Sequence, residues 1–338
     1  MKNMIKGIFV VIGLALVCLL GGPVEAGELA GELAGDDWLG IGGGFAMLIN
    51  AQSLNALRTN IQTTFNKGLG TAPTQHEQIC MVVNSTAESE SYPWFGDIGG
   101  MREWLGDRVV HALEGHDYTI KNKKFEKTIG IKADHVEDDK FGLHVPRIQE
   151  LSRLAATHPS LLAFQLLKNG FNEKCFDGQY FFDTDHPVGD GSVSNMQDGA
   201  GDPWFLLDLS RVIKPLILQI RRKARIIAMH NPNDPSVWER DEFQYGVDDR
   251  KNVGFGLWQL AWASKADMTH DNFEIGVSAM GSLKNDNGEP LGVGATHLVH
   301  MPKHEGKARR ICISELKTDG SSNEWKGAVE MLKSPWLA

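Results

Sequence analysis

The chain has 338 residues, of which 42% are hydrophobic and 23% charged; this is a globular composition that excludes disorder as the main state and suits about two domains. Lys+Arg 34 against Asp+Glu 43 leaves a net charge of -9, which argues against the concentrated basic surface of a dedicated nucleic-acid binder. Four cysteines without a C-x-x-C pair exclude a zinc ribbon and a disulfide-dense scaffold, and 37 glycines point to a loop-rich fold with much β-structure.

Residues 1–46 stand apart. Lys2 and Lys6 precede an apolar run, Ile8–Leu20, and Val24-Glu25-Ala26 resembles a cleavage site, as in a secretory signal. The run is short for a membrane span. Duplicated Gly-Glu-Leu-Ala units and Gly42-Gly43-Gly44 follow, a linker composition. Export to the periplasm is one reading. The other is that translation starts at Met47 and that residues 1–46 are upstream DNA read in frame.

Met47–Lys67 is expected to be helical, because Leu48, Leu54, Leu57, Ile61 and Phe65 recur at helical spacing before Gly68 and Gly70. Ser91–Gly106 is turn-rich and aromatic, with Trp94, Phe95 and Trp104. Tyr118–Ile131 alternates as strands do but switches parity across Asn122-Lys123-Lys124, which suggests a hairpin or a bent ribbon. Its lysines make it the most basic stretch of the chain. Pro146–Asn169 is the longest helical candidate; at Pro159 it either kinks or gives way to a second helix capped by Thr157. Leu161–Leu167 is apolar enough to be buried nearly all round. Asp183–Pro203 reads as a loop and Pro203–Ile227 as a short element followed by strands. Phe243–Val247 and Phe255–Gln259 read as two strands around Asp248–Asn252. Thr269–Met280 is read as a helix, Ala295–Met301 as a strand, Pro302–Ser314 as a helix and Trp325–Leu332 as a strand. This mixture without a βαβ rhythm indicates an α+β fold.

Chemical motifs are scarce. The chain has no phosphate-binding glycine loop, no Gly-x-Ser-x-Gly elbow and no His-Glu-x-x-His pair. Asp183-Thr184-Asp185-His186 offers three metal-ligand types, but such clusters more often make local turn hydrogen bonds. Pro302 breaks any single helix that would align His297, His300 and His304. His135 with Glu137, Asp138 and Asp139 reads as a solvated acidic run. Cys80, Cys175 and Cys312 read as small buried hydrophobes. No catalytic, cofactor or metal site is expected, so the chain is not read as an enzyme.

Several stretches taken in order resemble the Mu-like phage major head subunit (gpT) family: Leu54–Leu69; Tyr92–Gly96 with Trp104-Leu105-Gly106; Tyr118–Ile131; Cys175-Phe176-Asp177-Gly178 with Phe181–Pro187; Pro203–Asp208; Phe243–Gly246 with Arg250 and Trp258–Ala261; and Gly288–Gly292. The resemblance runs from Met47 almost to Ala338, and residues 1–46 have no counterpart in it. It implies the tailed-bacteriophage major capsid fold of the Hong Kong phage ninety-seven type. Residues 47–94 would be an N-terminal arm, 95–134 an extended hairpin loop, 135–202 a peripheral domain with a spine helix, and 203–338 an axial domain with returning peripheral strands.

The function so implied is a self-assembling icosahedral shell around double-stranded DNA. Its partners would be further copies of the chain in hexamers and pentamers, a scaffolding/protease protein and a portal, with packaged DNA held without sequence preference and no membrane. Assembly in the bacterial cytoplasm makes Met47 the expected start. Leu54, Leu57, Phe65, Trp94, Phe95, Trp104, Tyr118, Lys123, Lys124, Phe125 and Ile129 are the expected inter-subunit contacts. The rival readings are an exported periplasmic metal-dependent enzyme or binding protein, motivated by the leader and Asp183–His186, and a cellular nanocompartment shell of the same fold.

Overall fold

A computed structural model describes residues 51–92, 118–138 and 140–338. Residues 47–50, the leader, and Trp94, Phe95 and Trp104 lie outside the described residues. In chain order the first elements are α1 (Ala51–Thr71), the single turn α2 (His76–Ile79), β1 (Cys80–Asn84), β2 (Ser89–Ser91), β3 (Thr119–Lys121), β4 (Lys123–Lys132), α3 (Ala133–Glu137) and α4 (Val145–Asn169).

Helix α1 buries the stripe read from the sequence. Leu54, Leu57, Ile61 and Phe65 form one core with Ile148 and Leu151 of α4 and with residues of a sheet. The helix runs through Gly68 and Gly70 instead of stopping there. The reason is packing: a Cβ on Gly68 would lie 2.6 Å from the Ser152 Cβ, so the glycine is there to let the two helices approach closely. Helix α4 is one continuous element across Pro159. The Thr157 hydroxyl donates to the Arg153 carbonyl at 2.8 Å within that helix, so Thr157 does not cap a second one.

The chain continues with β5 (His186–Val188), β6 (Gly191–Val193), β7 (Met196–Gln197), β8 (Trp204–Leu207), β9 (Leu216–Met229), α5 (Pro235–Arg240), β10 (Glu242–Phe255), β11 (Ala261–Ser264), α6 (His270–Gly281), β12 (His297–His300), α7 (Glu305–Cys312) and β13 (Glu330–Lys333). The long strands make a four-stranded sheet in the order β1-β9-β10-β4. Strand β1 runs parallel to β9, while β9 with β10 and β10 with β4 are antiparallel.

One expectation is narrowed here and another fails. Of the two readings of Tyr118–Ile131 the hairpin is excluded, because β3 pairs with β2 and β4 pairs with β10 and not with each other. The break falls at buried Asn122, whose side-chain amide donates to the Ser85 hydroxyl at 2.8 Å and the Ala87 carbonyl at 3.0 Å. Residues 243–255 are not two strands around a turn; β10 is a single strand of 14 residues. Its register against β9 shifts between Asp248 and Lys251, a bulge that absorbs the polar segment without ending the strand.

A second sheet has the order β13-β12-β8-β11-β7. All four residues of β8 are buried, and alternation deals them to opposite faces. Phe205 and Leu207 join Phe164, Leu167, Phe181, Phe182 and Val299. Trp204 and Leu206 join Trp262, Phe273, Leu298 and Ile311 on the other side. Helix α6 begins at Thr269, whose hydroxyl accepts the Asn272 N–H at 3.2 Å, an N-cap. Helices α4, α6 and α7 each lead into a tight hairpin, closed by the bridges Lys174–Tyr180, Lys284–Pro290 and Leu316–Ser322. Gly178, Gly288 and Gly320 take φ of +86°, +82° and +85° in these turns, a conformation that glycine adopts without a Cβ penalty.

Candidate assembly surface

The four-stranded sheet has two long open edges. On β1, Cys80–Asn84 pairs only with Leu216–Ile220, so among the described residues Arg221–Met229 has no strand on that side. On the opposite edge, β4 has no neighbour beyond β10 among the described residues. An open edge presents unpaired N–H and C=O groups to another chain.

Charge and apolar surface coincide with these edges. Lys123, Lys124, Lys127 and Lys132 are exposed on β4, and Arg221, Lys223 and Arg225 on β9. Asp248 between them takes Arg222 and, at 2.9 Å, Arg225. Beyond the basic residues on β9, Ile227 and Met229 remain 46% and 41% exposed, and Trp238 on α5 is 88% exposed. Sequence reasoning did not single out Arg221–Met229 as an open edge. Its visible signal is the period-two run Arg221, Lys223, Arg225, Ile227, Met229.

The structure divides the expected contact residues. Leu54, Leu57 and Phe65 are 2%, 3% and 0% exposed within this chain, so their apolar surface is already covered by α4 and the sheet. Tyr118 is half-buried; its hydroxyl accepts the Phe255 N–H at 2.9 Å, and burial pushes its pKa up to about 12. Phe125 and Ile129 are half-buried, the former edge-on to His158 at 4.5 Å. Lys123 and Lys124 face solvent.

The inner face of β10 is less apolar than its strand pattern suggests. Asp249 and Lys251 are buried and paired with each other. Burial pulls Lys251 below the ordinary lysine range, with the Asp249 carboxylate opposing. Burial likewise lowers His76 and His158, and nearby Lys251 pushes both in the same direction. Ser160 binds this layer to α2, accepting the Gln75 and His76 N–H groups at 3.1 and 3.2 Å. A groove of about 270 Å³ opens beside it, lined by Phe125, Leu151, Leu154, His158, Val247 and Trp336.

The run Asp183–His186 does not converge as a ligand set. Asp183 accepts the N–H groups of Tyr180 and Thr184 at 3.2 and 2.8 Å, and Asp185 is held above its ordinary carboxylate range by a hydrogen bond with Asp183. Fully buried His186 instead meets Asp177 at 2.6 Å. Cys175 is buried as expected, but it is not simply an apolar filler: its thiol points to Asp177 Oδ1 at 3.0 Å. Burial alone would raise Asp177, yet the hydrogen bonds from His186 and Cys175 bring it below the usual aspartate value. His297 lies 3.3 Å from Glu330, whereas His300 Nδ1 donates to the Met301 carbonyl at its own strand end, at 2.8 Å. Among the described residues no helix is long and apolar enough to cross a membrane.

Comparison with known proteins follows the fold closely. The family model described as Mu-like prophage major head subunit gpT matches residues 54–337. The major capsid protein of Escherichia phage Mu is 41% identical over 305 residues, covering 86% of this chain and 100% of that one. The Mu-like prophage FluMu major head subunit of Haemophilus influenzae is 39% identical over 288 residues, covering 81% and 94%. Among solved structures, the procapsid of bacteriophage JBD30 has a TM-score of 0.76 at 39% identity, covering 85% of this chain and 100% of that chain. The JBD30 capsid gives 0.72 at 29% identity, covering 86% and 100%. The α+β architecture is therefore the phage major capsid fold expected from the sequence.

Proposed function

Because this chain belongs to the Mu-like prophage major head subunit family and is a structural protein of a phage head, we propose that it tiles an icosahedral shell as hexamers and pentamers around double-stranded DNA. The observation that carries this reading is the likeness to a JBD30 procapsid subunit along that subunit's whole length. A scaffolding/protease protein and a portal would take part, and assembly would occur in the host bacterial cytoplasm.

The geometry supports a division of labour within the subunit. Residues 135–202 with α4 as spine, together with the long strands β9 and β10, suit the peripheral domain, and the second sheet with α6 and α7 suits the axial domain. The basic edges β4 and Arg221–Met229 are the surfaces on which neighbouring copies close. Each exposed ion pair contributes only about 0–1 kcal/mol, and a strand pairing adds direction more than strength. Weak contacts of this kind correct themselves during growth, while their repetition in a closed symmetric lattice makes the finished shell persistent.

The test is electron microscopy of the overexpressed chain, alone and with its scaffold. Shells, tubes or sheets are the expected products. A monodisperse monomer at high concentration in both preparations would overturn the proposal.

A further inference from the structure

We propose that Cys175, Asp177 and His186 form a binding site for one divalent cation of the zinc class. One donor atom from each residue lies within 4.8 Å of the other two. This inference is independent of shell formation and rests on chemistry that the assembly reading leaves unused.

The donor set is a thiol, a carboxylate and an imidazole, the mixture that suits a borderline-soft tetrahedral cation. Zinc bonds of about 2.0–2.3 Å place tetrahedral donors roughly 3.3–3.6 Å apart. Cys175 Sγ is 3.0 Å from Asp177 Oδ1, and His186 Nδ1 is 2.6 Å from Asp177 Oδ2. These contacts go to the two oxygens of one carboxylate and are about 0.5–0.7 Å shorter than tetrahedral donor spacings, so the cation would replace both hydrogen bonds and draw one carboxylate oxygen into its shell. Tyr180 supplies a nearby oxygen for a fourth position, its carbonyl lying 3.9 Å from Sγ.

The surroundings exclude solvent from the imidazole. His186 is 0% exposed and stacks on Trp258 with ring centroids 4.0 Å apart and planes 10° apart. Its Nε2 is buried without a hydrogen-bond partner, so the ring is not serving a network that satisfies both nitrogens. A cation takes the imidazole in its neutral form, the carboxylate ionised and the thiol as thiolate. Binding M²⁺ breaks the S–H bond and forms M–S, releasing one proton to solvent. The imidazole proton moves from Nδ1 to Nε2, and Asp177 stays ionised.

A second hairpin in the same molecule shows what the turn alone requires. In the turn bridged by Leu316 and Ser322, Lys317 stands where Cys175 stands and Asp319 where Asp177 stands. Asp319 Oδ1 accepts the Ser321 N–H at 2.9 Å, as Asp177 Oδ1 accepts the Gln179 N–H at 3.0 Å. The turn thus explains the carboxylate but not the thiol or the histidine. With a cation bound, the hairpin that follows α4 would be tied to β5 and to Trp258.

The full chain, equilibrated with zinc sulfate and desalted, should retain about one zinc per chain by elemental mass spectrometry. Cobalt(II) should give an intense near-ultraviolet thiolate-to-metal band. Cys175→Ser should abolish that band and lower zinc affinity at least about tenfold, and Asp177→Asn should also weaken retention. Cys312→Ser should change neither readout; circular dichroism of each variant reports whether it has folded. Retention below about 0.1 zinc per chain by the wild type, or equal retention by a folded Cys175→Ser variant, overturns the site. Microscopy of the same samples reads assembly separately, so a failed metal site and a failed shell give different results.

Discussion

The two sheets handle their edges in opposite ways. The five-stranded sheet ends in β7, of two residues, and β13, of four, and its β8 is buried on both faces. Short edges leave little backbone for another chain to pair with. The four-stranded sheet ends in the ten residues of β4 and the uncovered half of β9, with lysine and arginine along both. Among the described residues, one sheet leaves only short edges unpaired and the other leaves long ones. Yet the helix packed beneath the open sheet is not waiting for a partner, because α1 buries its apolar stripe on its own chain. Openness in this subunit therefore resides in strand edges and charge, and not in an undocked arm helix.

The strongest challenge to that distinction is Phe65→Ala. Phe65 is fully buried between α1, α4 and the sheet, and removing such a ring costs about 3–5 kcal/mol. Urea unfolding of the unassembled chain should show the loss. If stability were unchanged and only assembly failed, α1 would have its home on a neighbouring copy.

Lys251→Met comes next, with about 3 kcal/mol expected because Asp249 would be left as an unpaired buried charge. Adding Asp249→Leu should recover most of the loss, since a well-packed apolar pair can replace a buried ion pair at little cost. Urea midpoints of the single and double variants check this. A double variant as unstable as the single would mean that the pair does more than neutralise itself.

The histidines beside that pair give the open-sheet region a pH dependence. His76 and His158 are lowered from an ordinary value of 6.5, chiefly by burial, so the unfolded chain binds their protons more readily than the folded one. Stability should therefore be fully present above pH 6.5 and fall progressively as the pH drops below it. Unfolding midpoints at pH 7 and pH 5 measure the drop, and His158→Gln should make it shallower. An unchanged slope in that variant would remove His158 from the account.

Regular apolar spacing was legible in the sequence, and chain-distant pairing was not. The stripe Leu54–Phe65 and the helix read at Thr269–Met280 are local patterns that the fold uses nearly as they stand. Strand β10 was misread because Asp248–Asn252 looks like a turn. In fact its alternation continues through Asp249 and Lys251, which tolerate burial only because they neutralise each other. The basic stretch left a hairpin and a bent ribbon both open, because β3 and β4 take strands far away in the chain, which local alternation does not reveal. His186 was grouped with its adjacent aspartates because sequence proximity is visible and a hairpin turn is not. The turn at Gly178 is what carries Cys175 and Asp177 to it.

The smallest effect on stability should come from Lys123→Glu with Lys124→Glu, and it is the sharpest test of the open edge. Both side chains are exposed on β4, so folding stability should change by less than about 0.5 kcal/mol. Assembly should respond differently, because the same reversal recurs at every subunit contact. If β4 meets an acidic surface of a neighbouring copy, the double variant should assemble less extensively than the wild type at low salt. Raising the salt should narrow the gap as screening weakens both attraction and repulsion. Light scattering across a salt series reads this directly. Equal assembly at every ionic strength would show that the lysines guard the edge against pairing, and would leave Arg221–Met229 as the edge on which neighbours close.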